Sequence, residues 1–421
     1  MPRIIAFSHP SAAFPKSKKM NRRCTICAMN ILSEIAKPDL RNESFGLKAA
    51  HTQVRLHPFE PMPSLFNKNW TRAELLRYIG DIRQLAEVRF CELIDGPGRG
   101  VRLAEFKTGS GFAFTVLLDR GLDIHGASYK GVPLAWQSAG GITSPSFYEP
   151  EGTGWLRNFH GGWLNTCGLT NVGSPGRDEL GDYGLHGRVS NLPAQLLRCG
   201  GRWLGEEYEL CLEAVLRETS VFGFNLQLTR RLTTRLGESA LQITDTVENL
   251  GDREAPFMLL YHCNFGFPLL AEGSRLVMKS KVSRPRDEAA LPGLTTHLLM
   301  DSPQAGYAEQ VFFHDMIPTK DGFVTIMLVN DDLQLAGYVS YRQKELPELI
   351  QWKQMGSGTY VLGIEPANCL VMGRDAERKR GTLRMLAPGE TCETLLRLGV
   401  VEGPQQIQQM IATIQSSPTL A

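Results

Sequence analysis

The chain has 421 residues, of which 42% are hydrophobic and 21% charged, and its net charge is +1. That length allows one large domain or two smaller ones, and the composition is that of an ordinary globular chain. A near-zero charge gives no global field toward nucleic acid or an anionic membrane, and no apolar run approaches the ~20 residues that a transmembrane helix needs.

The 42 glycines and 24 prolines suit a chain of many turns, as all-β proteins have. The nine cysteines are odd in number and scattered, several within apolar strand-like runs (Cys211, Cys263). They read as reduced thiols of a cytoplasmic protein.

Residues 1–61 stand apart. They hold ten Lys or Arg against four Asp or Glu, so this segment carries +6 and the rest of the chain −5. A basic, acid-poor start can be a targeting peptide. Cys24-Thr-Ile-Cys27 has the form of half a zinc site, but no second pair lies near it. The segment is read as an extension outside the native protein, with translation beginning at Met62, or as simple disorder.

Order begins at Trp70. Thr71 and Glu74 make a capping box, and Leu75, Leu76 and Ile79 recur at helical spacing before Gly80, which predicts a short N-terminal helix. From Val88 the pattern turns to strands: VRFCELID, GVRLAEFKTG, GFAFTVLLDRGLDI and VPLAW, separated by Gly and Pro. Asp119-Arg120-Gly121 sits at a strand end. Arg120 is either a pocket ligand for a sugar or carboxylate, or the partner of Asp119 or Asp123 in a salt bridge.

Residues 155–193 form a glycine-rich stretch with two His-Gly steps, at His160 and His186, the second followed by Arg188. Gly, Ser, Pro, Asp and Asn lie between them, so this stretch does not bury continuously as helix or strand. It reads as a polar pocket floor or as a long surface loop; the two His-Gly steps and the arginine favour the pocket.

Strands then resume. Tyr208, Leu210, Leu212, Ala214 and Leu216 alternate with more polar neighbours, a period of two that buries one face. Residues 257–270 make an apolar strand interrupted by His262 and Asn264, and further strands follow to about residue 400. Pro404 opens an amphipathic helix with Ile407, Met410, Ile411 and Ile414 on one side. Alternating βαβ units and internal repeats are absent from the pattern. The expected architecture is all-β: one large antiparallel β-sandwich over residues 62–403, with a tail helix over 404–421.

Three signals stand out for chemistry: His186 with Arg188 in LHGR, His262 in YHCNFGF and Glu365 in GIEPAN. His262 interrupts an apolar strand, where an imidazole needs a hydrogen-bond partner; it is a core histidine bonded to a carbonyl or a proton-transfer group. Glu365 follows an apolar strand and precedes Pro366, which stops the ladder; it either reaches water or serves as a pocket base. A metal site built from His160, His186 and His262 lacks the fixed spacing of zinc sites, so no metal is expected.

The order HGGW, LHGR, YHCNF, GIEP resembles the aldose 1-epimerase (galactose mutarotase-like) superfamily. It is most similar to a branch of aldose 1-epimerase-like proteins known as a domain of unknown function, whose members' start WTRAELLRYIGDIRQL also resembles. The resemblance runs from about residue 62 to 400. It implies the galactose mutarotase-like supersandwich, a sugar bound in a groove across one sheet, and no cofactor. It further implies that His262 protonates the ring oxygen and Glu365 takes the proton of the anomeric hydroxyl. His186, Arg188 and His160 would bind the sugar, Trp163 or Trp352 could stack on it, and Asp315 in His314-Asp315 would be a further acidic ligand. The usual mutarotase has Asn-His-Thr-Tyr-Phe-Asn at the acid, where this chain has Leu-Tyr-His-Cys-Asn-Phe-Gly from 260 to 266.

The superfamily also holds lyases, transglycosidases and bare sugar-binding domains, so fold does not settle reaction. The expected function is a mutarotase-like isomerase acting on a sugar, phosphorylated or not; the alternative is a carbohydrate-binding domain without catalysis. An exposed sheet edge would support a homodimer. The enzyme reading requires His262 and Glu365 in one pocket, about one sugar ring apart.

Overall fold

The computed structural model describes residues 62–416. The basic segment 1–61, with Cys24-Thr-Ile-Cys27, lies outside the described residues.

Three antiparallel sheets make up most of the described chain. The largest has eight strands, in the order Gln195–Leu204, Glu207–Thr219, Asn225–Arg235, Ala240–Asn249, Thr391–Glu402, Leu335–Arg342, Phe323–Asn330 and Arg275–Val277. The last long strand of the chain is thus inserted at its centre. The second sheet runs Ser280–Pro285, Gln310–Met316, Glu348–Gly356, Thr359–Ala367, Ala255–Phe265 and Arg384–Leu386, and Asn165–Leu169 also pairs with Ala255–Phe265. A five-stranded meander spans Glu87–Glu92 to Val132–Pro133. The expected all-β sandwich is the fold observed.

Sequence period explains these strands. Asn225–Arg235 and Ala240–Asn249 alternate strictly between buried and partly exposed residues, as half-buried strands do. Glu207–Thr219 departs from that rule, because Glu209 and Cys211 are buried as well. Glu209 accepts from the Arg202 and Arg231 guanidinium groups, which lets a carboxylate face inward there.

One hydrophobic cluster draws on all three sheets, with Leu212, Leu228 and Ile243 from the largest, Leu259, Tyr261 and Ile364 from the second, and Phe106 and Phe114 from the meander. The Tyr261 hydroxyl donates to Asp245 Oδ2 and lies 2.6 Å from Thr394 Oγ1, tying the second sheet to the largest. Odd residues of Ala255–Phe265 therefore face this shared core. Even residues face the other way, where Met258 and Leu260 join a second cluster with Trp155, Phe159, Cys167 and Ile350. Both faces of that strand are covered, and all eleven of its residues are buried.

The capping box at Thr71 and Glu74 forms on both sides, but the helix is only Arg72–Leu76 and ends at Arg77. It is shorter than the apolar spacing through Ile79 implied. The tail helix, Pro404–Gln415, buries Ile407 and Ile414 against Met327, Val329 and Ala336. The glycine-rich stretch is more ordered than its composition suggested. Inside it, Asn165–Leu169 is a strand with every residue buried, bonded to the flank of Ala255–Phe265. The seven described cysteines are all free thiols. No helix among the described residues is long and apolar enough to cross a membrane.

Candidate active site

The site is built on two neighbouring strands, Ala255–Phe265 and Thr359–Ala367. Leu260 pairs with Ala367 and Cys263 with Ile364, a register that sets His262 directly opposite Glu365. Both side chains stand on the face turned away from the shared core. His262 Nε2 lies 3.2 Å from Glu365 Oε1, and both groups are buried. The approach is close in distance but off the N–H direction, so Glu365 Oε1 has no aligned hydrogen bond; His262 Nδ1 has none either.

Gly363 makes the pair possible. A Cβ there would stand 2.7 Å from Glu365 Oε1, 3.1 Å from Trp352 Cβ and 3.2 Å from His262 Cε1. Only a residue without a side chain leaves room for all three.

Burial sets the electrostatics. Desolvation raises the Glu365 carboxyl well above the usual carboxylate range; Glu309 adds to this and Arg286 opposes it. Desolvation also lowers the His262 imidazole, with the nearby His186 ring lowering it further and the Asn264 side chain opposing. Both groups are pushed toward their neutral forms. Direct contact pulls the other way, since an imidazolium favours a carboxylate beside it. A pair so placed can share one proton between two atoms able to exchange it.

Aromatic rings wall the pair. Trp352 stands edge-on to His262 at 5.3 Å between ring centroids, and Phe159 lies at the same distance. Trp136 packs against both Phe159 and Trp352. His186 is 5.9 Å from His262 and 4.7 Å from Trp155. It is held there by a tight turn: His186 has φ of 55°, and a Cβ on Gly187 would strike Gly168 O at 2.3 Å. The Gly173 amide donates to His186 Nδ1, so Nε2 carries its proton when the ring is neutral.

The other expected ligands are placed elsewhere. Arg120 is 1% exposed and donates to Ser190 O, Thr143 O, Thr143 Oγ1 and Asn158 O. It is neither a pocket ligand nor paired as expected, because Asp119 binds Arg102 and Asp123 lies beside Arg230. Its guanidinium is taken up by loop carbonyls. Arg188 is exposed and lines a cleft with Tyr183, Glu218 and Phe224, which neither His262 nor Glu365 lines. The two residues of LHGR thus diverge, His186 toward the pair and Arg188 away from it.

His160 is fully buried with both ring nitrogens engaged, Nδ1 at 3.2 Å from His125 Nδ1 and Nε2 at 3.2 Å from Asn165 Nδ2. No nitrogen is left for a sugar hydroxyl. Asp315 is exposed near the end of Gln310–Met316, and its neighbour His314 points to the opposite face, bonded to Ser283 and Gln351. Trp163 belongs to the shared core, whereas Trp352 lines the pair.

The acidic residue near the pair is Glu309, which accepts from Trp352 Nε1 at 2.8 Å and from Arg286 Nη2 at 2.9 Å. Arg286 also donates to Asp287 Oδ2. Glu309 has the parity of Asp315 on the same strand run, but lies six residues earlier, ~20 Å along an extended chain. Asn264 carried a signal, being a second polar residue two positions from His262 in an apolar strand. Gly363 and Trp136 carry no such signal in the sequence.

A buried His–Glu pair on the face of a mutarotase-like sandwich defines the class: the fold is that of the aldose 1-epimerase and galactose mutarotase-like proteins. A candidate aldose 1-epimerase from Klebsiella pneumoniae superposes with a TM-score of 0.76 at 24% identity, covering 81% of this chain and 92% of that one. A galactose mutarotase-like protein from Clostridium acetobutylicum gives 0.53 at 15% identity, covering 75% and 98%. The galactose 1-epimerase of Lactobacillus acidophilus gives 0.50 at 16% identity, covering 75% and 99%. Within that class, the chain belongs to the family described as Domain of unknown function (DUF4432), whose model matches residues 98–400. A comparison with curated proteins gives no match.

Proposed function

We propose that the chain is an aldose 1-epimerase-like isomerase acting on a neutral sugar. The observation that carries this reading is the 3.2 Å approach of His262 Nε2 to Glu365 Oε1 in a buried, aromatic-walled setting. Mutarotation needs one proton removed from the anomeric hydroxyl and one delivered to the ring oxygen. The pair is in direct contact and not one sugar ring apart, the separation expected from the sequence; because both oxygens are bonded to the same anomeric carbon, an acid and base this close can still serve both. With the shared proton on His262, the imidazolium protonates the ring oxygen as Glu365 takes the anomeric proton. The C1–O5 bond breaks and C1 becomes an aldehyde. Rotation about C1–C2 and reclosure, with each proton returned, gives the other anomer. Water exclusion by Trp352, Phe159 and Trp136 strengthens each transfer.

A neutral substrate follows from charge. Arg120 and Arg188, the two arginines suited to a phosphate or carboxylate, are not at the pair, and Arg286 is already held by Asp287 and Glu309. Glu309 beside the pair would disfavour an anionic sugar.

Anomeric exchange followed by NMR, across neutral aldoses and ketoses, uronates and sugar phosphates, tests the reading. Faster exchange of a neutral sugar, lost in His262→Ala and Glu365→Gln, is the expected result. Binding without faster exchange would move the assignment to a carbohydrate-binding domain. Exchange confined to phosphorylated or acidic sugars would overturn the neutral substrate.

A further inference from the structure

We infer that Asn264 and Asn165 are positioning residues that fix His262 as its Nδ1–H tautomer, so that Nε2 alone exchanges protons with Glu365 and the substrate. The inference rests on the proposed function only for its catalytic consequence.

Besides Glu365 Oε1, three buried polar atoms on the same face lack a partner: His262 Nδ1, Asn264 Oδ1 and Asn165 Oδ1. Such atoms in a protein interior call for an explanation, because each costs free energy when left unpaired. Their carriers adjoin. Asn264 is two residues from His262 on the same face of the same strand, and Asn165 is directly opposite His262 on the neighbouring strand. Both asparagines are 0% exposed.

The orientation of the Asn264 amide is set by what it binds. Asn264 Nδ2 donates to Gly162 O and to His262 O, both at 3.0 Å. A carbonyl can only accept, so the nitrogen end of the amide is fixed there and Oδ1 is the free end. Asn165 Nδ2 lies against His160 Nε2. In this amide orientation Asn165 donates to His160 Nε2, which places the His160 proton on Nδ1, facing His125 Nδ1. His125 and His160 thus hold Asn165 with its oxygen end free.

Two acceptor oxygens therefore stand free on the same face as an imidazole whose Nδ1 is also unpaired, neighbours in register though not in hydrogen-bond contact in this conformation. An acceptor favours N–H at that atom. With Nδ1 protonated, neutral His262 carries its lone pair on Nε2, the atom that faces Glu365. The same oxygens favour the imidazolium, which the Asn264 side chain already supports. His160, expected from the sequence as a sugar ligand, becomes a buttress two contacts removed from the reacting atoms.

The test is nitrogen-15 NMR of the His262 ring in the full chain without sugar. Wild type is expected to show a protonated Nδ1 and a bare Nε2 near neutral pH. Asn264→Ala and Asn165→Ala should convert this to a mixture of tautomers and slow anomeric exchange at least tenfold with KM little changed. Asn264→Asp, which keeps an acceptor oxygen, should retain the Nδ1–H form. His160→Gln should do so too, since a glutamine amide can accept from Asn165 and donate to His125. A wild-type ring protonated at Nε2 overturns the inference, as does an unchanged tautomer in both alanine variants. The wild-type spectrum decides even if a variant fails to fold. The expected tautomer with no exchange of any sugar would leave this assignment standing and overturn the proposed reaction.

Discussion

His262 and Glu365 face one another across two adjacent antiparallel strands, imidazole Nε2 to carboxylate Oε1 at 3.2 Å, each buried. They lie about 100 residues apart in the chain, and only the strand register brings them together. A proton can pass between these atoms without moving backbone, which is what a reversible anomeric exchange asks of its acid and base.

Removing either partner should stop the chemistry and spare the fold. His262→Ala and Glu365→Gln are each expected to lower sugar-dependent anomeric exchange by about 10²–10⁴-fold. Far-UV circular dichroism of both should match wild type, with exchange read by NMR line-shape or saturation transfer.

Gly363→Ala adds a single methyl group on the face of the pair. It would meet Glu365 Oε1 at 2.7 Å and must displace either the carboxylate or Trp352. We expect exchange to fall at least tenfold and stability to drop by about 1–3 kcal/mol, the usual cost of overpacking. A variant as active and stable as wild type would show that the pair does not need this gap.

The two arginines first considered as sugar ligands should behave oppositely. Arg120→Leu leaves the carbonyls of Ser190, Thr143 and Asn158 without their donor. At ~1–3 kcal/mol for each unpaired buried group, a loss of about 3 kcal/mol or more is expected in urea unfolding. Arg188→Ala, at an exposed position, should change stability by no more than about 0.5 kcal/mol and leave exchange intact.

Glu365 also gives the protein a pH signature. Its pKa is raised in the folded chain, so between the ordinary glutamate value of about 4.3 and the raised one the folded state binds the extra proton. Its contribution to stability is complete below that ordinary value and is lost as pH rises through the raised one. His262, lowered in the fold, acts on the acid side: its contribution is present above about 6.5 and is lost as pH falls through the folded value. Glu365→Gln should therefore gain stability relative to wild type as pH is raised from 5 toward 9. Chemical denaturation at several pH values checks this, and parallel curves for the two proteins would refute it.

Strand content and the core were legible because alternation is a local property. Asn225–Arg235 and Ala240–Asn249 announce themselves by period alone. His262 was visible as a polar break in an apolar run and Glu365 as a carboxylate late in another, but Pro366 does not stop the ladder as expected: the strand Thr359–Ala367 contains Glu365 and Pro366 and pairs on through Ala367. The contact of His262 with Glu365 was not visible, because register depends on partners far away in the chain. Arg120 misled for a related reason: a guanidinium that binds backbone carbonyls looks the same in sequence as one that binds a sugar. Asp315 had the parity of Glu309 but the wrong end of the strand, and nothing local distinguishes the ends. His160 was read as a sugar ligand; its partner His125 sits 35 residues earlier, in the five-stranded meander.

The segment 155–193 has the composition of an interchangeable loop, yet Asn165–Leu169 within it is bonded along the flank of the His262 strand, and His186 returns from the same segment to the pair. Replacing it by a relative's loop would therefore remove a sheet member rather than swap a cover. Attempts to redirect substrate choice by loop grafting should fail at the level of folding. Point changes at Trp136, Trp352 or Glu309, whose backbones belong to other segments, offer the tractable route to altered selectivity.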